Sequence, residues 1–73
     1  MRLSFYLAFP KSYSSKKRQA LAGQPHQQKP DADNLAKAVL DALFIDDAHV
    51  WSLQIEKHWE DQDGPRTIIE WDT

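Results

Sequence analysis

The chain of 73 residues has no cysteine, only two glycines, and no apolar run of the roughly 20 residues that a membrane-spanning helix needs. The absence of cysteine excludes disulfide bonds and thiolate metal sites and is typical of a reducing, intracellular setting. A chain this short buries little surface, so we expect a bound ion or a second subunit to add stability.

The apolar N-terminal segment LSFYLAF has a single flanking charge and no small-residue cleavage pattern after it. This segment is therefore predicted to be a strand and not a signal peptide. Together with the absence of a long apolar run, it predicts a soluble protein that does not interact with membranes.

Acidic residues are missing from one part of the chain. Residues 1–29 carry six basic residues and no acid, whereas residues 30–73 carry three basic and eleven acidic residues. The first part can attract phosphate groups and the second can hold cations. A polar surface loop beside acidic turns would give the same division without any function, and the charges alone do not decide between the two.

Hydrophobic periodicity predicts a single α+β domain over residues 1–73, in the order strand, helix, strand, strand. The predicted strands cover residues 2–9, 49–59 and 66–71, and the predicted helix runs from about residue 34 to residue 43. One helix with an apolar stripe should cover one face of a small mixed sheet. Three tryptophans are expected to anchor the core or a subunit contact, namely Trp51, Trp59 and Trp71.

The stretch between the first strand and the helix is mostly irregular. Ser14 or Ser15 can cap a brief helix there, and Gly23 can stop it. An extended connection over residues 24–30 then leads to an acidic motif. The three histidines share no helical face and no metal-ligand spacing, so the sequence does not predict a zinc site. Surface or sheet-edge roles are predicted for them instead.

The candidate catalytic and metal-binding residues lie in the stretch KPDADNLAKAVLDALFIDDAHV. Asp33 and Lys37 are four residues apart and share a helical face, with Asp31 just before the first turn. The turn that holds Asp46 and Asp47 leads to the next strand, whose start can lie beside Asp31 and Asp33. Three converging carboxylates would bind a hard cation such as Mg²⁺ or Mn²⁺. Such a site beside a lysine is suited to phosphodiester cleavage.

Each of these residues also has an interpretation without function. Asp31 or Asp33 can cap the helix, Lys37 can pair with Asp33 one turn away, and Asp46 with Asp47 can form a turn.

The segment KPDADNLAKAVLDAL followed by DDAHV resembles the RusA family of Holliday junction resolvases. The signature of this family is an Asp-x-Asp-Asn-Leu-x-Lys helix start followed by Asp-Ala-Leu and an Asp-Asp-x-x-Val strand entry. The resemblance implies a small homodimeric, Mg²⁺-dependent endonuclease that nicks four-way DNA junctions symmetrically. By position, it implies four catalytic residues, Asp31, Asp33, Lys37 and Asp47, of which the three aspartates bind the metal. Asp46 is the weaker candidate.

A basic segment precedes the acidic motif, as in phage-type members of this family. It is predicted to contact DNA phosphates without reading bases. The predicted DNA-binding residues are Lys11, Lys16, Lys17, Arg18 and Lys29. Tyr13, within this segment, can either stack on an unpaired base or pack in the protein. The resemblance also implies a cytoplasmic location, in a bacterial or phage-infected cell.

Members of the family are usually longer and carry a strand and a helix before the strand that begins here at Arg2, so the chain is expected to be a C-terminal portion of the family fold. Two alternatives to the active enzyme remain. The chain can be a truncated, catalytically inert DNA-binding remnant. It can also be an interaction domain whose acidic residues are only caps and turns.

Overall fold

The computed structural model describes residues 1–71, apart from the side chain of Asp47. The elements, in chain order, are β1 (Arg2–Leu7), α1 (Ser15–Leu21), α2 (Ala32–Ala42), a short 3-10 helix (Asp47–His49), β2 (Gln54–Trp59) and β3 (Arg66–Glu70).

The three strands form a mixed sheet with the order β2-β1-β3. β1 pairs in parallel with β2, with Leu3 opposite Ile55, and antiparallel with β3, with Leu3 opposite Ile69. Adjacent parallel strands need a long crossover connection, which here contains both helices. The turn between β2 and β3 does not close a hairpin, because β1 lies between these two strands.

The core lies between one face of the sheet and α2. Leu3 and Phe5 of β1 are buried against Ala36 of α2, with Leu35 and Val39 packed around them. These positions follow the alternation of the strand and the apolar stripe of the helix. The predicted small α+β fold, with one helix on one face of a mixed sheet, is confirmed. Within residues 1–71, every helix is too short and too polar to cross a membrane.

The short helix α1 begins and ends at the predicted residues. The Ser14 Oγ accepts a hydrogen bond from the Lys17 backbone N–H at 3.2 Å. Gly23, just beyond the helix, has a φ of +74°, a left-handed conformation that favours glycine.

The segment before β2 differs from the prediction of a long strand over residues 49–59. The strand begins only at Gln54, and a 3-10 helix and an irregular stretch occupy the preceding residues. As a result, Trp51 is 94% exposed, whereas Trp59 at the end of β2 is 4% exposed. Trp71 is about half exposed, so within the described residues only Trp59 is a core tryptophan.

An aromatic cluster around Trp59 forms a second packing centre. The Trp59 ring stacks on Phe9 at 5.1 Å between centroids and also contacts Tyr13 at 5.6 Å and His26 at 4.3 Å. The cluster holds the connection between β1 and α2 against the end of β2. Tyr13 is half-buried within it, which favours the packed interpretation of this side chain.

Candidate functional site

The acidic motif lies at the N-terminus of α2. Asp31 occupies the N-cap position with an extended backbone, and its carbonyl accepts from the Leu35 N–H at 3.2 Å. Within the described residues its side chain makes no capping hydrogen bond, although aspartate is among the preferred capping residues. The carboxylate of Asp31 is exposed and therefore accessible to a ligand.

An open groove runs between α2 and β2, with a volume of about 450 Å³. Asp33, Asn34 and Lys37 form its polar side. The remaining lining residues are apolar and come from α2, from β2 and from the segment before β2: Ala36, Leu40, Val50, Leu53 and Ile55. The structure thus brings the predicted carboxylate and the predicted lysine to one groove with an apolar floor.

The turn with the second pair of aspartates leads into the same groove, since Val50 follows it and lines the groove with Asp33 and Lys37. Asp46 acts as a turn former, because its Oδ1 accepts from the Ala48 N–H at 3.0 Å. The side chain of Asp47 lies outside the described part of the structure. Its predicted role as a metal ligand stays a prediction.

The donor chemistry of the motif fits a hard divalent cation. Within the described part of the chain, the carboxylates of Asp31 and Asp33 take part in no ion pair, and oxygen donors of this kind suit Mg²⁺ or Mn²⁺. Among the described side chains, no three acidic or histidine residues come together as a metal-binding group. Completing a three-carboxylate site therefore depends on Asp47.

The predicted DNA-binding residues differ in their surroundings. Lys16 and Lys17 are exposed on α1, and the Lys17 Nζ lies 3.9 Å from the centre of the Tyr13 ring. Arg18 is half-buried, and its guanidinium donates to the carbonyls of Tyr13 at 3.1 Å and Pro10 at 3.2 Å. Arg18 therefore fixes the turn before α1 with two of its five N–H donors.

His26 anchors the connection that leads to Asp31. Its backbone N–H donates to the Lys57 carbonyl at 2.9 Å, at the edge of the sheet as predicted. Its ring, however, is 6% exposed and packs on Trp59. Within the described residues the buried Nδ1 has no hydrogen-bond partner. Burial, and secondarily the charge of Lys57, lower the pKa of His26 below its usual 6.5.

This lowered pKa predicts a loss of stability in mild acid. The folded state takes up a proton on His26 less readily than the unfolded state, so its contribution is complete above about pH 6.5 and decreases as the pH falls towards the lower folded pKa. We expect the wild-type melting temperature to fall between about pH 7 and about pH 5, and His26→Phe to remove part of this fall. Thermal unfolding at a series of pH values tests this, and equal slopes for both proteins would contradict it.

The pH range separates this effect from that of the carboxylates. A hydrogen bond from Arg2 lowers the pKa of Glu56, and one from Arg66 lowers the pKa of Asp61. The stability from these depressed pKa values is present above the unfolded carboxyl values and is lost as the pH falls through the lower folded ones. The folded pKa values lie below 4.5 for Glu56 and below 3.8 for Asp61. This loss of stability therefore occurs at a lower pH than the change between about pH 7 and about pH 5 expected from His26.

Comparison with known proteins agrees with the motif. The family model described as endodeoxyribonuclease RusA matches residues 1–71. This family acts on branched DNA and depends in general on divalent metal ions. No curated protein and no solved structure gives a significant match. Because the family match extends over nearly the whole sequence, from the first strand through the last, the chain belongs to the RusA endodeoxyribonuclease family.

Proposed function

We propose that this chain is an endonuclease that nicks four-way DNA junctions with the help of Mg²⁺, for which Mn²⁺ can substitute. The observation that carries the proposal is the groove that both Asp33 and Lys37 line, in the N-terminal half of the helix that bears the family motif. From the family resemblance, the proposed location is the cytoplasm of a bacterial or phage-infected cell.

Asp31, Asp33 and Asp47 would hold the ion. A bound divalent ion lowers the pKa of water and offsets charge on phosphate oxygens. The chain's own contribution is to fix the carboxylates at the start of a rigid helix, with the first helical turn setting the separation of Asp31 and Asp33.

Lys37 would offset the negative charge that develops on the phosphate. It lies one helical turn after Asp33 and lines the same groove. Among the described residues it takes part in no ion pair, not even with Asp33, so its ammonium is available to a phosphate. Apolar side chains, among them Leu40, Leu53 and Ile55, line the groove beside it, and less polar surroundings strengthen such an interaction.

The exposed lysines of the N-terminal half would contact DNA phosphates. Lys16 and Lys17 on α1 and Lys11 and Lys29 in the flanking loops are all exposed. Each phosphate that they neutralise releases counterions, so junction affinity should decrease steeply with salt. Arg18 belongs to the same proposed set through its remaining N–H donors. Its expected contribution to DNA affinity is smaller, because two of its donors already bind backbone carbonyls.

A homodimer is the proposed active form. Phe44 is 96% exposed and Trp51 is 94% exposed, and Leu43 and Leu53, near them in sequence, are 45% and 40% exposed. Large apolar side chains that are exposed together mark interaction surfaces. A two-fold dimer would also present one groove to each of two strands of a junction, which is what symmetric nicking requires.

Nicking of a synthetic four-way junction tests the proposed function. The junction should be nicked in Mg²⁺ and left intact in EDTA, while a linear duplex built from the same sequences should remain uncut in both. Sizing of the protein alone and with junction, in the same buffers, reports the dimer. Junction binding without Mg²⁺-dependent nicking would support the inert DNA-binding remnant instead. Absence of binding would contradict both.

A further inference from the structure

Lys57 is a charged residue in an apolar row. It lies in the middle of β2 opposite Phe5, and the alternation of the strand puts it on the same face as Ile55 and Trp59. This is the face that packs against α2 and the connection. Lys57 is half-buried as a residue, because its aliphatic stem can follow the apolar face while its ammonium reaches exposed backbone acceptors.

The acceptors are backbone carbonyls of the segment that enters the acidic motif. The Lys57 Nζ donates to the carbonyl of Gln28 at 2.5 Å and to that of Pro30 at 2.8 Å. The carbonyl of Lys57 itself accepts from the His26 N–H at 2.9 Å. One residue of the sheet thus holds both ends of the stretch from His26 to Pro30.

The bond to Pro30 acts on the motif directly. The Pro30 carbonyl belongs to the peptide group that joins Pro30 to Asp31, so fixing it restricts the backbone at the N-cap of α2. Within the part of the chain that the structure describes, no other hydrogen bond ties residues 27–30 to the fold. Without the Lys57 ammonium, only the helix itself would orient Asp31.

We propose that Lys57 is a positioning residue that holds the carboxylate of Asp31 in place for the divalent ion by fixing the Gln28 and Pro30 carbonyls. The inference rests on the proposed function, because it assumes that Asp31 is a metal ligand. Lys57 would not touch the substrate. Its effect would pass through the backbone, as with the outer-shell groups that orient metal ligands in other proteins.

Mn²⁺ affinity in the absence of DNA tests the proposal, measured by the disappearance of the free Mn²⁺ resonance in electron paramagnetic spectra. Lys57→Met should weaken Mn²⁺ binding about 10-fold, as is typical for loss of an outer-shell partner. Lys57→Arg, which keeps a cationic donor, should restore most of the affinity. Lys57→Gln retains a polar donor and should show an intermediate loss, which keeps the test valid should the methionine variant fold poorly.

Arg2→Met is the matched control. It removes one positive charge from the neighbouring strand and breaks the 2.7 Å ion pair with Glu56, but it does not touch the connection, so Mn²⁺ affinity should not change. A second readout is nicking as a function of Mg²⁺ concentration. Lys57→Met should need more Mg²⁺ for half-maximal nicking and should approach the wild-type rate at high Mg²⁺, whereas general loss of structure would lower the rate at every concentration.

The outcomes are separable. If wild-type protein binds Mn²⁺ and nicks junctions but Lys57→Met binds Mn²⁺ equally well, the positioning role is wrong and the proposed function stands. If wild-type protein neither binds Mn²⁺ nor nicks junctions, the proposed function fails and the positioning role fails with it.

Discussion

Asp33→Asn is expected to reduce junction nicking by more than about 100-fold. Loss of an outer-shell partner typically costs about 10–100-fold in metal affinity or activity, and Asp33 is proposed to bind the ion directly. The substitution keeps the shape of the side chain and removes its charge. Asp33 lies in the first turn of α2, so the fold should lose only about 0.3–1 kcal/mol from the weaker interaction with the helix dipole. Junction binding, which depends on the basic residues, should persist.

Asp41→Asn is the control for this experiment. Asp41 lies on the same polar face of α2, two turns after Asp33, but it is exposed and outside the groove. The variant makes the same change of charge on the same helix and should nick junctions like the wild type. The test measures nicking rates and junction affinities of the wild type, Asp33→Asn and Asp41→Asn side by side in Mg²⁺. Full activity of Asp33→Asn would remove Asp33 from the proposed metal site.

The fold was predictable where a local pattern decides the structure. β1 alternates cleanly, and its inward residues Leu3 and Phe5 are buried. The apolar stripe predicted for the helix contains both of its buried residues, Ala36 and Leu40, and also Leu43, which follows the last helical residue and is 45% exposed. In both cases a period of 2 or 3.6 residues sets which side chains face the core, so the sequence alone contains the information.

The segment before β2 shows where this reasoning failed. Trp51, Leu53 and Ile55 alternate with polar residues, which indicated a strand, yet the strand begins at Gln54. β1 has only six residues to pair with, from Arg2 opposite Gln54 to Leu7 opposite Trp59. The length of the partner strand, a property of the tertiary structure, therefore overrode the local pattern.

The motif located the candidate site, but its supporting residues had to come from the structure. The spacing of Asp33 and Lys37 predicted that they share one face of the helix, and in the structure both line the groove. Lys57 was missed, although the sequence holds a signal for it, since it stands between Ile55 and Trp59 on the apolar face of β2. Its partners are backbone carbonyls 27 and 29 residues earlier in the chain, and no sequence pattern marks an acceptor of that kind.

Trp59→Ala is expected to have the largest effect on stability. Truncating a buried tryptophan costs about 3–5 kcal/mol. A domain of this length has about 4–11 kcal/mol in all, from typical per-residue values. The melting temperature should fall by at least about 12 °C, since each kcal/mol shifts it by about 4–8 °C in a domain of this size. The loss of stability should lie near the upper end of this range, because Phe9, Tyr13 and His26 all pack on the Trp59 ring and would lose that contact.

Trp51→Ala provides the contrast, because the same truncation is made at a side chain that is 94% exposed. Its effect on unfolding of the monomer should stay within about 0.5 kcal/mol, as for most surface substitutions. Thermal unfolding at several protein concentrations distinguishes packing from association. If Trp51 lies in a dimer interface, the wild-type melting temperature rises with concentration and Trp51→Ala reduces that rise.

Trp59→Ala, in contrast, should be destabilised at every concentration, and a melting temperature close to that of the wild type would contradict the role of the aromatic cluster in holding the connection to α2.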